Sequence, residues 1–163
     1  MTEVTRPAIA KHPFLRDMPP GHLNALAEVG AEVSFPAGHR IFDDGGFAGK
    51  FWLIESGHVA LDMQVPGKGR VVIDSVGLGE LLGCSWFFPP YRWATGAVCA
   101  GAVRAFEFDA AAVRERCAAD PLFGYEFTRR LLRVFAKRLQ ITRTRLTAST
   151  AAHEPGSGPA EYG

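Results

Sequence analysis

Between residues 31 and 108 apolar and polar residues alternate in short runs, and on either side of that stretch the apolar residues recur at helical spacing. Ala31, Val33 and Phe35 alternate with Glu32 and Ser34, which predicts a strand with one buried face. Pro36-Ala37-Gly38 turns the chain, Ile41 and Phe42 open a second strand, and Asp43-Asp44-Gly45-Gly46 turns it again. Apolar runs at 51–55 and 58–63 flank Ser56-Gly57, which reads as a two-residue hairpin. Pro66-Gly67-Lys68-Gly69 leads into a strand at 70–74, and residues 95–100 and 103–108 complete about eight strands. Short strands with turns at such close intervals predict a mainly β fold, a double-stranded β-helix or jelly roll.

The flanks read as helix. Leu23, Leu26 and Ala27 lie at helical spacing ahead of Gly30, so residues 12–30 predict a short helical entry. Asp109 is placed to cap a helix over 110–119. Asp120-Pro121 combines a cap with proline at the first helical position, and one long helix is expected over 122–147. Residues 1–11 show no period and are expected to be a loose lead-in. Residues 148–163 are small, polar and punctuated by glycine and proline, so a disordered tail is expected there. The result is one domain at 12–147, with the β-roll at about 31–108 and C-terminal helices at about 110–147.

Composition narrows the function. With 163 residues and 47% apolar content the chain can build a full core. Its apolar runs are too short to span a bilayer, and Met1-Thr2-Glu3-Val4 lacks the pattern of a signal peptide. Three cysteines, none at metal-ligand spacing from another, suggest a reducing cytoplasmic setting. A net charge of +1 excludes a nucleic-acid field over the whole protein. The charge is uneven: 121–163 holds seven basic and three acidic residues, +4, against −3 for 1–120.

The candidate chemistry lies in Gly77-Leu78-Gly79-Glu80-Leu81-Leu82-Gly83-Cys84-Ser85 and in Arg92-Trp93. A glycine-rich turn that opens into a short helix would aim backbone N–H groups at an anion, and Arg92 could add a charged contact. Glu80 accepts hydrogen bonds only, which suits a sugar hydroxyl beside a phosphate. Two segments carry a family resemblance. One is Gly38-x-x-Ile41-x-x-Asp44-Gly45 leading to Phe51-x-Leu53-Ile54-x-x-Gly57-x-Val59; the other is Gly79-Glu80-Leu81 with Arg92. In that order they resemble the cyclic nucleotide-binding domain, the sensor of catabolite activator proteins and of cAMP-dependent kinase regulatory subunits.

The resemblance implies a non-catalytic sensor with cAMP or cGMP as ligand and no metal. It implies that Gly79 and its neighbours Leu81 and Leu82 offer N–H groups to the cyclic phosphate, that Glu80 holds the ribose 2′-hydroxyl, and that Arg92 pairs with the phosphate. Glu80 and Arg92 are 12 positions apart, more than the family's cassette usually allows, and the interval carries Trp86-Phe87-Phe88-Pro89-Pro90-Tyr91. Where the family has a small or hydroxyl residue after the arginine, this chain has Trp93, which leaves both the base and the filling of the pocket open.

In the long helix Leu132, Phe135, Leu139, Thr142 and Leu146 alternate at spacings of three and four, which predicts helix pairing in a homodimer. The helix also carries seven basic residues against Glu126, either a solvated face or a surface for an acidic partner or nucleic acid. No helix-turn-helix is expected after it, so an effector protein is expected to read the signal, with neither DNA nor membrane bound. Two other readings stay open. One is a degenerate domain that keeps the fold as a dimerising module without nucleotide. The other is a cupin-type metal enzyme, for which His12, His22, His39, His58 and His153 are widely scattered.

Overall fold

The structure, a computed structural model, describes residues 2–152. Its contacts divide the chain into a first unit ending at Thr128 and a second starting at Arg129. The first unit holds two antiparallel sheets. Strands β1 (Thr2–Glu3), β2 (Gly30–Phe35), β9 (Val103–Asp109), β4 (Lys50–Ser56) and β7 (Leu81–Leu82) form one sheet in that order. Strands β3 (Arg40–Phe42), β8 (Gly96–Cys99), β5 (Val59–Val65) and β6 (Gly69–Val76) form the other. Four helices accompany them: α1 (Arg6–Ala10), α2 (Pro20–Ala27), α3 (Ala110–Ala119) and α4 (Pro121–Ala152). This is the expected mainly β roll with a short helical entry and a long C-terminal helix.

Successive side chains of β4 point to opposite faces of the sheet, and Phe51 to Ile54 are buried on both. Phe51 and Leu53 lie opposite Phe108 and Phe106 of β9, and all four are buried. Phe51 stacks on Phe108 at 5.1 Å and on Trp86 at 4.3 Å, and Phe127 of α4 meets it edge-on at 5.8 Å. Aromatic side chains buried in this way contribute on the order of 1.5–3 kcal/mol each. The opposite face of β4 carries Trp52 and Ile54, opposite Glu107 and Ala105. The helix starts follow their caps: Asp109 accepts from the Ala112 N–H, and Asp120 Oδ1 accepts from the N–H groups of Leu122 and Phe123.

Three expectations are corrected. Ser56-Gly57 does not close a hairpin, because β4 pairs with β9 and β7 whereas β5 pairs with β6 and β8. The chain crosses there from one sheet to the other, and period-two alternation cannot distinguish such a crossing from a hairpin. Residues 1–11 contain β1 and α1, anchored by the buried side chains of Val4 and Ile9. Elements of two and five residues are too short to leave a period. Helix α4 continues to Ala152, into the segment expected to be disordered, since Ala148 to Ala152 includes neither glycine nor proline. The remainder of that tail, 153–163, lies outside the described residues.

Candidate functional site

The turn around Gly79 belongs to the sheet. Gly79, at φ +80°, donates its N–H to Ile54 O at 3.0 Å, and Ile54 N–H donates to Glu80 O at 2.9 Å. Leu81 and Leu82 then pair with Leu53 and Trp52 as β7, both buried. The N–H of Glu80 goes to Gly77 O at 3.1 Å, while its carboxylate accepts from the Gly77 N–H at 3.0 Å. The expected helix start is therefore replaced by a strand, and the N–H groups of Gly79 and Glu80 serve the protein's own carbonyls. A two-residue strand has no sequence period to announce it.

His12 reinforces this turn. Its Nε2–H donates to the same Ile54 O at 2.9 Å, and its Nδ1 accepts from the Phe14 N–H at 3.2 Å. The bond accepted by Nδ1 needs the neutral ring, whereas Nε2–H can donate to Ile54 O in either protonation state. Burial lowers the His12 pKa, against a smaller upward pull from the Ile54 bond. As pH falls below the ordinary histidine value, the unfolded chain takes up a proton that the folded chain refuses. This contribution to stability is therefore full above about pH 6.5 and is lost as pH falls from there toward the folded-state pKa. Thermal unfolding at about pH 7.5 and about pH 5.5 should show the loss, and His12→Gln should flatten it. An equal slope in the variant would mean that other groups titrate.

Beyond β7 lies the loop that carries Arg92. Its centre is pinned by Trp86, which is fully buried and donates its indole N–H to Gly83 O at 3.1 Å. Arg114 of α3 donates to Trp86 O and lies over the Tyr91 ring, 4.2 Å from its centroid. The far end is strapped to the β3–β4 turn. Ala48 N–H donates to Tyr91 O, Trp93 N–H to Gly46 O and Gly45 N–H to Trp93 O, all within 2.9 Å. Arg92 is exposed and donates to Gly45 O at 3.4 Å.

Trp93 turns inward. It is 6% exposed and stacks on Phe42 at 3.9 Å, with Trp52 tilted beside it at 6.1 Å. Its six-membered ring lies against Gly83, where a Cβ would come within 2.9 Å, so only glycine fits. The loop's two ends meet through this contact. The indole fills the space between them. A shallow cavity of about 340 Å³ opens on this aromatic group, lined by Phe35, Phe42, Phe47, Trp52 and Trp93. The Lys50–Glu107 ion pair at 2.6 Å also borders it, and Trp52 Nε1 donates to the same Glu107 at 2.8 Å.

A polar cluster absent from the sequence reading holds the β3–β4 turn in place. Asp62, 3% exposed, accepts two hydrogen bonds from Arg40, at 2.7 and 3.1 Å, and one from Arg70 at 2.8 Å. Arg70 continues to Asp44 at 2.9 Å. The Arg40 hydrogen bonds hold the Asp62 carboxyl below its ordinary pKa, and the Arg70 bond does the same for Asp44. Gly96 makes the room, since a Cβ there would stand 2.6 Å from Arg40 Nη1. The partners are 22 and 8 positions apart, on three strands, so no local motif marks them.

Among the described residues no group of three or more His, Cys, Asp or Glu could hold a metal ion, and no helix is long and apolar enough to cross a membrane.

Two sheets in a roll, followed in the chain by a long helix and carrying a glycine-rich loop with an arginine, define the class of domain. Over residues 32–120 the sequence matches the cyclic nucleotide-binding domain, and the chain belongs to that family. It is 28% identical over 148 residues to a CRP-like cAMP-activated global transcriptional regulator of Mycobacterium tuberculosis, covering 91% of this chain. The chain spans 64% of that regulator's length. In fold it is similar to a cyclic nucleotide-binding domain from Methylobacillus flagellatus, with TM-score 0.74, 18% identity and 90% and 79% of the two chains covered. It is also similar to the catabolite activator protein of Thermus thermophilus, with TM-score 0.65, 21% identity and 85% and 63% covered.

Proposed function

We propose that this domain is a non-catalytic regulatory module that keeps its cassette loop closed with its own side chains and acts on a partner protein through α4, without a nucleotide in the loop. The inward position of Trp93 carries this reading: the indole takes the room between Gly83 and the arginine end of the loop. Two further observations support it. Residues 83–93 include no carboxylate to hold a ribose hydroxyl. Glu80, the expected acid, lies on the other side of β7 and accepts from the Gly77 N–H.

A second reading, a sensor of a cyclic mononucleotide such as cAMP, is favoured by Arg92. That guanidinium is exposed, and its bond to Gly45 O is long at 3.4 Å, so it is available to a phosphate. The name of the Mycobacterium tuberculosis relative supports cAMP as the ligand to try first. In this reading Gly79, Glu80, Leu81, Leu82, Arg92 and Trp93 form the site. The setting proposed in both readings is cytoplasmic, and neither calls for a metal.

Isothermal titration with cAMP, cGMP and a cyclic dinucleotide separates them. The closed-loop reading expects no saturable heat with any of the three up to about millimolar ligand, weaker than roughly −4 kcal/mol of binding. Saturation by one of them at micromolar concentration establishes the sensor instead.

A further inference from the structure

We propose that the aromatic cavity beside Trp93 is a binding site for a small aromatic amine, with Glu107 as the group that holds its ammonium. The proposal goes beyond the closed-loop reading and shares one premise with it, the inward position of Trp93.

The cavity is built from both sheets. Phe35 and Trp52 of the first sheet, Phe42 of the second, Phe47 and Trp93 line a space of about 340 Å³, at the small end of ligand pockets. Lys50 and Trp52 are two positions apart on β4 and point to one face, where Trp52 lies opposite Glu107 of β9. Glu107 is the fixed polar group. Its side chain is 12% exposed, and its Oε2 accepts from Trp52 Nε1 at 2.8 Å. Lys50 is the loose one, 53% exposed, with its Nζ 2.6 Å from Glu107 Oε1.

This lining selects the chemistry of the ligand. Lys50 shows that an ammonium fits against Glu107 beside these rings. An ion pair so open to water contributes little, so a ligand's ammonium can take the lysine's place at small cost. The lysine stem does not supply a ring. Phe47, 62% exposed, leaves apolar surface that a flat ring would cover. Aromatic walls also favour a cation over a neutral group of the same size. A second cavity, of about 570 Å³, shares Phe35, Lys50 and Glu107 and adds Glu32, Glu55 and Arg104. Three carboxylates against two cations disfavour an anion there.

The test titrates four probes into the full, isotope-labelled chain and follows the indole N–H resonances of its three tryptophans. Phenylethylamine should bind roughly tenfold more tightly than phenylethanol or phenylacetate, which change the head group and keep the ring. Butylamine, with the head of a lysine side chain and no ring, should also bind more weakly. Equal binding of butylamine would mean that the site takes a lysine of another protein, and would overturn the aromatic ligand. The resonances of Trp52 and Trp93 should move, whereas that of Trp86, which donates to Gly83 O, should stay. Glu107→Gln keeps an acceptor for Trp52 and should cancel the preference for the amine. Lys50→Met removes the competing ammonium and should tighten the amine severalfold, a gain that an unfolded variant would not show. The proposal is overturned if phenylethylamine does not saturate, if phenylethanol or phenylacetate binds as tightly, or if Lys50→Met leaves the amine unaffected. None of the probes carries a phosphate, so saturation by cAMP in the calorimeter would overturn the closed loop and leave the order of the four probes standing.

Discussion

Trp86→Ala is expected to lower the free energy of unfolding by about 3–5 kcal/mol, the range for removing a fully buried large aromatic. The indole has no exposed surface, stacks on Phe51 at 4.3 Å and meets Phe127 edge-on at 5.8 Å. It thus joins the loop after β7 to the layer between the first sheet and the start of α4. Alanine would leave a cavity beside Phe51 and release the bond from Trp86 Nε1 to Gly83 O. Trp86→Phe keeps much of the stacking and should cost less. Urea unfolding gives the comparison. A loss near 1 kcal/mol for alanine would show that the loop anchors elsewhere, for instance through Arg114, which grips Trp86 O and Tyr91 from α3.

The same residue shows where the sequence was readable. Alternation along β2 and β9 and the apolar run of β4 report strands, and Asp120-Pro121 reports a helix start, because each depends on neighbours in the chain; the buried face expected of β2 is only half-buried. What depended on distant residues stayed hidden. Leu81–Leu82 is a strand only because β4 lies alongside, so the glycines before it read as a helix-opening turn. Asp62 looks like an ordinary polar position until Arg40, Arg70 and Gly96 surround it. Glu80 and Arg92 were legible as residue types in the family's order, but not the strand between them. For Trp93 the sequence left open whether a ligand or the protein itself takes the ring; Gly83, ten positions earlier, is what the ring packs on.

Trp93→Ala should therefore do two things together. Losing a nearly buried indole that stacks on Phe42 at 3.9 Å should cost about 3–5 kcal/mol of stability. It should also empty the space beside Gly83, next to an exposed arginine. Inorganic phosphate or cAMP is then expected to bind the variant weakly where the wild type shows no saturation. Adding Arg92→Ala should remove that binding, because residues 83–93 hold no other cationic side chain. Trp93→Phe, which keeps an aromatic ring at the position, guards against a variant that merely unfolds: it should stay folded and still resist ligand. The sensor reading predicts the reverse. There the wild type binds, Trp93→Ala weakens binding because the indole is a platform for the base, and Arg92→Ala alone costs about 2–3 kcal/mol, roughly 30- to 150-fold in affinity. Calorimetry on the wild type and these variants decides which side of Trp93 faces the ligand, since the two readings give opposite signs for the same substitution.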